Sequence, residues 1–188
     1  MPIGEKIARN FGNLHGLARL ALSYPQAAIL GHGLSTKAED VRRLVFVCHA
    51  NVSRSAFAEV LCSKRGMNAA SFGVAAEAGA PADETAQKVA LDDYGVDLTW
   101  HRAQDTRFHA LPGDLLLAME VRQLNRIANL PNLSIPPRAL LGSVIHVPHL
   151  HDPLGLSEDY YRTCFNRILR AVDRLEIRFP RLKTGHNS

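Results

Sequence analysis

The feature that most constrains the fold is a regular alternation of short apolar segments with helical segments, which starts near residue 44. The first apolar segment, 44–47, is continuous and rich in β-branched residues, which is typical of a strand buried on both faces of a sheet. Strands are predicted at 44–47, 69–74, 114–119 and 138–141, and helices at 55–64, 83–94, 120–128 and 157–178. Because helical crossovers join successive parallel strands, the pattern predicts a three-layer α/β fold with helices on both faces of a parallel sheet.

The composition is that of one such domain. The chain has 188 residues, of which 46% are hydrophobic and 21% charged, which suits a single buried core and excludes wholesale disorder. No apolar segment has the length of a membrane span, so we expect no stable membrane insertion. The net charge of +4 comes from scattered basic residues, so nucleic-acid binding is not expected. Three cysteines, an odd number, indicate no disulfide framework and favour a reducing cytoplasm.

Residues 1–43 differ from the rest of the chain and are predicted to form a partly helical N-terminal extension. Apolar residues recur there at intervals of four and three, at Ile7, Phe11, Leu14, Ala18 and Ala21. This amphipathic stripe is expected to end before Pro25, because proline disrupts a helix interior. Docking on the domain or on a partner is favoured over a targeting role. The remaining divisions are a domain at 44–179 and a tail at 180–188, since Pro180 ends the last helix.

The segment most informative about chemistry follows the first strand. It reads Cys48, His49, Ala50, Asn51, Val52, Ser53, Arg54 and Ser55. It enters a helix, and the partial positive charge at a helix N-terminus favours the thiolate of a cysteine. Backbone N–H groups in such a loop form a nest for a tetrahedral oxyanion, and an arginine fork grips two phosphate oxygens. The loop therefore predicts attack by the Cys48 thiol on a phosphoryl group.

The loop and several later segments resemble the low-molecular-weight protein tyrosine phosphatase family. Cys48, Asn51, Arg54 and Ser55 match that family's loop, which reads approximately Cys-x-Gly-Asn-x-Cys-Arg-Ser. The similarity continues through residues 57–59, 95–98, 101–103 and 118–120, and it ends with the late Asp152-Pro153 pair. It covers about residues 44–179. The resemblance implies a flavodoxin-like, doubly wound sheet of four parallel strands in the order 2-1-3-4.

The resemblance also implies a reaction and a set of roles. Phosphotyrosine in proteins, and aryl phosphates, would be hydrolysed through a cysteinyl-phosphate intermediate without a cofactor or metal. Cys48 would be the nucleophile, Arg54 would bind the phosphoryl oxygens, and Asp152 would be the general acid and base. Asp152 follows the fourth strand, which places it on the same rim of a parallel sheet as the Cys48 loop. The phosphate-binding residues would be His49, Ala50, Asn51, Val52, Ser53 and Ser55. A tyrosine-phosphorylated protein would be the partner, with a bacterial tyrosine kinase as one candidate.

Four positions depart from the family pattern. Ala50 replaces the loop glycine and Ser53 the second loop cysteine, while His49 and Leu154 replace an apolar residue and a tyrosine. The strictness of the phosphotyrosine preference is therefore open, as are redox regulation and oligomeric state. Two other functions remain alternatives: an arsenate reductase on the same fold, which needs two further redox cysteines, and a phosphate-binding module with weak turnover. The histidines at 146, 149 and 151 fit no standard zinc spacing, so no metal site is expected.

Overall fold

Four short strands form one parallel sheet in the computed structural model, which describes residues 2–29 and 33–182. The strands are β1 (Arg43–Cys48), β2 (Ala69–Gly73), β3 (Asp114–Ala118) and β4 (Arg138–Leu140). Their order across the sheet is β2-β1-β3-β4, with all three pairings parallel, which confirms the predicted fold. Val47 lies opposite Phe72 on one side and Ala118 on the other. The carboxyl ends of the central strands thus meet at one rim.

The continuous apolar sequence of β1 is explained by burial on both faces. Leu44 and Phe46 point into a larger core, and Val45 and Val47 point into a smaller core on the opposite face. All four side chains are fully buried. Removing that apolar area from water is the main favourable contribution to folding, at about 25 cal/mol per Å². Sheet and helices therefore form three layers.

Six helices are present in the described residues. They are α1 (Ile3–Phe11), α2 (Leu14–Ile29), α3 (Arg54–Lys64), α4 (Glu84–Tyr94), α5 (Val121–Ala128) and α6 (Glu158–Arg178). The last four correspond closely to the predicted helices. Residues of α3, α4 and α6 build the larger core, where the rings of Phe57 and Phe165 stack with centroids 4.1 Å apart. α5 covers the smaller core.

The N-terminal prediction was partly wrong. The chain turns at Gly12, where φ is 78°, so the predicted stripe is divided between two helices, and α2 continues through Pro25. Pro25 and Ala21 are both exposed residues, and the missing N–H of Pro25 leaves the Ala21 carbonyl without its usual helical partner. The Tyr24 hydroxyl, one residue earlier, donates to the His146 carbonyl at 3.0 Å. α2 therefore continues through an exposed proline and is held on the domain by a hydrogen bond beside it.

The two N-terminal helices pack against the domain near the end of the sheet. α1 contacts α6, where Arg167 donates to the Asn10 carbonyl at 2.7 Å. Gly16 of α2 is buried so close to the His151 ring that a Cβ there would lie 2.7 Å from Cδ2 of that ring. The extension therefore contacts the segment just before Asp152.

The C-terminal end packs on the same domain. Leu182, in a short 3₁₀ helix at Pro180–Leu182, is buried in the larger core. Residues 183–188 of the predicted tail lie outside the described residues. Among the described helices, none combines the length and apolar character that crossing a membrane requires.

Candidate active site

The loop 48–55 connects β1 to α3 and has an unusual backbone at its centre. Asn51 has φ of 58°, a left-handed conformation that asparagine tolerates better than most residues. Its side-chain amide donates to the hydroxyls of Ser55 at 2.8 Å and Ser71 at 2.7 Å, and its side-chain oxygen accepts from the Gln104 N–H at 2.8 Å. His101 hydrogen-bonds the Asn51 backbone carbonyl at 2.7 Å. Asn51 therefore fixes the shape of the loop.

The Cys48 sulfur lies at the base of this loop. It is 2.9 Å from the Ser55 hydroxyl and accepts the Asn51 backbone N–H at 3.3 Å. Both donors stabilise negative charge on sulfur. The N-terminus of α3 adds a further favourable potential, because α3 begins at Arg54.

The carbonyl groups of the loop are used elsewhere, which leaves its N–H groups available. The carbonyls of Cys48, His49 and Val52 accept from Val74, Ala75 and Asp83 at 3.0, 2.8 and 2.8 Å. Gly73 permits this packing, since a Cβ there would lie 2.6 Å from the His49 carbonyl oxygen. Within the described part of the chain, the N–H groups of Ala50, Val52 and Ser53 donate to no protein acceptor. Such N–H groups form a nest for an oxyanion.

Arg54 is fully buried and joins three segments of the chain. One terminal nitrogen donates to Glu120 at 2.6 Å and to the Leu150 carbonyl at 2.7 Å, and the other donates to Asp152 at 2.5 Å. Its Nε, like the Ser53 hydroxyl, is buried without a hydrogen-bond partner among residues 2–29 and 33–182. An unpaired buried donor is costly, which makes this nitrogen ready to bind an anion.

Burial and charge act in opposite directions on the Arg54 network. Burial alone lowers the pKa of Arg54, but the carboxylates of Asp152 and Glu120 raise it above its ordinary value. Burial raises the pKa of Glu120, yet the Arg54 charge and hydrogen bond bring it below its ordinary value. The pair is therefore ionised at neutral pH. Glu120 also accepts at the N-cap of α5, where it forms a capping box with Gln123.

Asp152 lies at the same rim of the sheet as the loop 48–55. The Leu150 N–H donates to the Met119 carbonyl at 3.0 Å, which ties this segment to the end of β3. The Asp152 side chain is about one-third exposed, so it faces both Arg54 and solvent. Leu154, at the position of the family's tyrosine, is 48% exposed.

The predicted phosphate-binding residues of the loop 48–55 differ in burial. Among the predicted phosphate-binding residues, Asn51, Ser53 and Ser55 are buried, Ala50 and Val52 are half-buried, and His49 is exposed. The sequence had suggested no role for Glu120. An acid directly after a buried strand was an available signal, because the ends of parallel strands meet at one rim. His101 and Gln104 were also missed, since only the fold brings them to Asn51.

Two histidines lie beside this network. The rings of His149 and His151 have centroids 5.8 Å apart. Burial lowers the pKa of His149 to about 4 and that of His151 below its ordinary value. His149 Nε2 is buried and has no hydrogen-bond partner in the described ranges. Both rings are therefore neutral at pH 7.

Comparison with known proteins identifies this arrangement. Residues 43–184 match the family model of low molecular weight phosphotyrosine protein phosphatase. The probable low molecular weight protein-tyrosine-phosphatase EpsP of Ralstonia nicotianae is 30% identical over 149 residues, which cover 76% of this chain and 97% of EpsP. The crystal structure of the Erwinia amylovora tyrosine phosphatase AmsI superposes with a TM-score of 0.63 at 26% identity, covering 77% of this chain and 95% of AmsI.

The fold itself is shared more widely. The YwlE arginine phosphatase from Geobacillus stearothermophilus has a TM-score of 0.63 at 24% identity, covering 78% of this chain and 99% of that protein. This likeness shows the common fold alone. The family match covers most of the chain, and it includes the loop 48–55, Glu120 and Asp152. The chain belongs to the low molecular weight phosphotyrosine protein phosphatase family.

Proposed function

We propose that this protein hydrolyses phosphotyrosine in proteins, and aryl phosphates, through a phosphocysteine at Cys48. The observation that carries the proposal is the meeting of three groups at one rim of the sheet: the Cys48 sulfur, the Arg54 guanidinium and the Asp152 carboxyl. Unpaired loop N–H groups and Arg54 Nε supply donors for the three non-bridging oxygens of a phosphoryl group. Such donors favour the transition state because they need no rearrangement as charge develops.

The reaction has two steps. The Cys48 thiolate attacks phosphorus in line, so that an S–P bond forms while the P–O bond to tyrosine breaks, and Asp152 gives its proton to the leaving oxygen. Water then attacks the phosphocysteine, and Asp152 takes the proton from that water. The S–P bond breaks to release inorganic phosphate and the thiolate. The Ser55 hydroxyl, 2.9 Å from sulfur, stabilises the thiolate as it leaves.

Kinetics of three variants test these roles. Cys48→Ser and Arg54→Ala are expected to lose nearly all hydrolysis of p-nitrophenyl phosphate and of a phosphotyrosine peptide. Asp152→Asn is expected to lose more with the phosphotyrosine peptide, because tyrosine leaves less readily without a proton than p-nitrophenolate does. Asp92→Asn, at an exposed position of α4, is the matched carboxylate control. Equal losses for both substrates would remove Asp152 as the acid, and full activity of Cys48→Ser would refute the reaction.

Phosphoarginine is a further substrate for this experiment, since one protein of the same fold is an arginine phosphatase. We expect the phosphotyrosine peptide to be hydrolysed faster than phosphoarginine. Arsenate reduction is disfavoured by the two other cysteines. Cys62 and Cys164 are buried in α3 and α6, and burial raises the pKa of each thiol to about 12. A redox relay needs accessible thiols that ionise readily.

The partner and the setting are further parts of the proposal. The substrate is a tyrosine-phosphorylated protein in the cytoplasm, and a bacterial tyrosine kinase is a candidate. The tyrosine phosphatase names of EpsP and AmsI support the substrate class. Residues 44–179 are proposed as the phosphatase domain, with 1–43 as an extension and 180–188 as a tail. Loss of phosphotyrosine from an autophosphorylated kinase with wild-type protein, but not with Cys48→Ser, would support the kinase as substrate; equal signals would exclude it.

A further inference from the structure

A cavity of about 400 Å³ adjoins the loop 48–55 on the side of α5. The residues that line it include His49 and Asp152 of the proposed reaction site, and Arg122 and Arg126 of α5. The same cavity therefore joins residues of the proposed reaction site to two exposed cations. None of the roles assigned above uses these two arginines.

The charges in the cavity favour an anion. Its two acids, Glu120 and Asp152, are both bonded to the buried Arg54. Arg122 reaches Glu120 only at 3.5 Å, and its side chain is 63% exposed. Arg126 has no ion-pair partner among residues 2–29 and 33–182. Two like charges four residues apart on a helix repel one another, and an anion between them would relieve that repulsion.

We propose that Arg122 and Arg126 bind acidic side chains that flank the phosphotyrosine of the substrate. This proposal rests on the proposed function, because the phosphotyrosine itself must enter the loop 48–55. Side chains at i and i+4 on a helix are about 6 Å apart. Side chains at i and i+2 of an extended peptide lie on one side, about 7 Å apart. A peptide with acids two residues apart therefore matches the spacing of the two arginines.

The test compares two phosphotyrosine peptides. At every second position on both sides of the phosphotyrosine, one peptide has Glu and the other has Gln, and the two are otherwise identical. For wild-type protein at low salt, kcat/KM should be roughly tenfold higher with the Glu peptide, or about threefold for each exposed ion pair. High salt should bring the ratio toward one, because it screens exposed charges. In the double variant Arg122→Gln/Arg126→Gln the ratio should fall to about one at low salt as well.

The chain offers a matched control. Arg170 and Arg174 of α6 are also exposed and four residues apart, but they lie away from the cavity. Arg170→Gln/Arg174→Gln removes the same charge and should keep the tenfold ratio. Arg126→Glu should reduce the Glu preference and favour a peptide with Lys at the same positions. Thermal unfolding of each variant verifies that the comparison is made between folded proteins.

The results distinguish failure of the acidic subsite from failure of the proposed phosphatase reaction. Equal kcat/KM for the Glu and Gln peptides with wild-type protein would overturn the acidic subsite while leaving the phosphatase reaction intact. The acidic subsite would also be overturned if the double variants of α5 and α6 gave the same ratio of kcat/KM for the Glu peptide to kcat/KM for the Gln peptide. If wild-type protein released phosphate from neither peptide nor from p-nitrophenyl phosphate, the proposed function would fail, and the subsite with it.

Discussion

Gly16 of α2 offers a sharp test of how the N-terminal extension is attached. A Cβ at this position would collide with the Phe11 carbonyl oxygen and would lie 2.7 Å from Cδ2 of His151. Real Cβ atoms do not approach backbone so closely, so Gly16→Ala must separate α2 from the end of α1 or from His151. Gly4 of α1 is the matched control, because a Cβ added there would have no other group within 4 Å.

Two effects compete at Gly16, and their magnitudes decide the sign. Alanine in place of glycine favours a helix by up to about 1 kcal/mol. Overpacking a close contact costs typically about 1–3 kcal/mol, and here one of the contacts is backbone, which cannot rotate away. We therefore expect Gly16→Ala to weaken the docking of the extension by about 1–2 kcal/mol. Gly4→Ala should leave docking unchanged or strengthen it by less than about 1 kcal/mol.

Native-state hydrogen exchange of the α1 and α2 amides measures this docking directly. A loss of about 1–2 kcal/mol corresponds to exchange roughly 5–30 times faster. Because the extension contacts His151, the residue before Asp152, the same variant should lose more activity with a phosphotyrosine peptide than with p-nitrophenyl phosphate. Slower exchange in Gly16→Ala than in wild type would show that the close approach does not constrain α2, and the reasoning would be refuted.

Three further predictions concern buried polar groups. His149 is neutral when folded, since burial lowers its pKa to about 4 from 6.5; its contribution to stability is complete above pH 6.5 and is lost as pH falls toward 4. Between pH 7 and 4.5, the free energy of unfolding measured in urea should therefore fall by about 2–3 kcal/mol less for His149→Gln than for wild-type protein. Glu120→Gln removes the charge that orients Arg54 and should lower kcat/KM for p-nitrophenyl phosphate by roughly 10–100-fold; a change under about twofold would contradict this. Asn51→Ala should be less stable in urea than Asn51→Gly by about 1 kcal/mol, because only glycine adopts φ of 58° freely, and equal stabilities would argue against strain there.

Local sequence patterns were sufficient to predict the strands of the sheet and the position of the loop 48–55 between a strand and a helix. These features depend on neighbouring residues: the apolar segment 44–47 and the helix start that follows it. The observed strand β1 extends the predicted strand by one residue at each end. The order of the strands came instead from the family resemblance. It was confirmed by the parallel pairing of β1 with both β2 and β3, and of β3 with β4.

Contacts between distant segments could not be predicted in the same way. The rule that proline ends a helix failed at Pro25, an exposed position of α2 beside which the Tyr24 hydroxyl ties the helix to the His146 carbonyl. Glu120 lies 66 residues from Arg54 in sequence, and no spacing rule connects them. The two arginines of α5 were scattered charges in the sequence, and only the folded chain places them beside the site.

The contacts of Arg54 also constrain how the sequence of this protein can evolve. Its partners lie 66, 96 and 98 residues away, so one guanidinium fastens Glu120, Leu150 and Asp152 to the start of α3. A lineage that lost this arginine would lose part of its architecture together with its chemistry. Exchange of the Cys48 sulfur for oxygen would leave all of those bonds in place. Descendants that recognise phosphate without cleaving it are therefore expected to arise through position 48 and to retain the arginine.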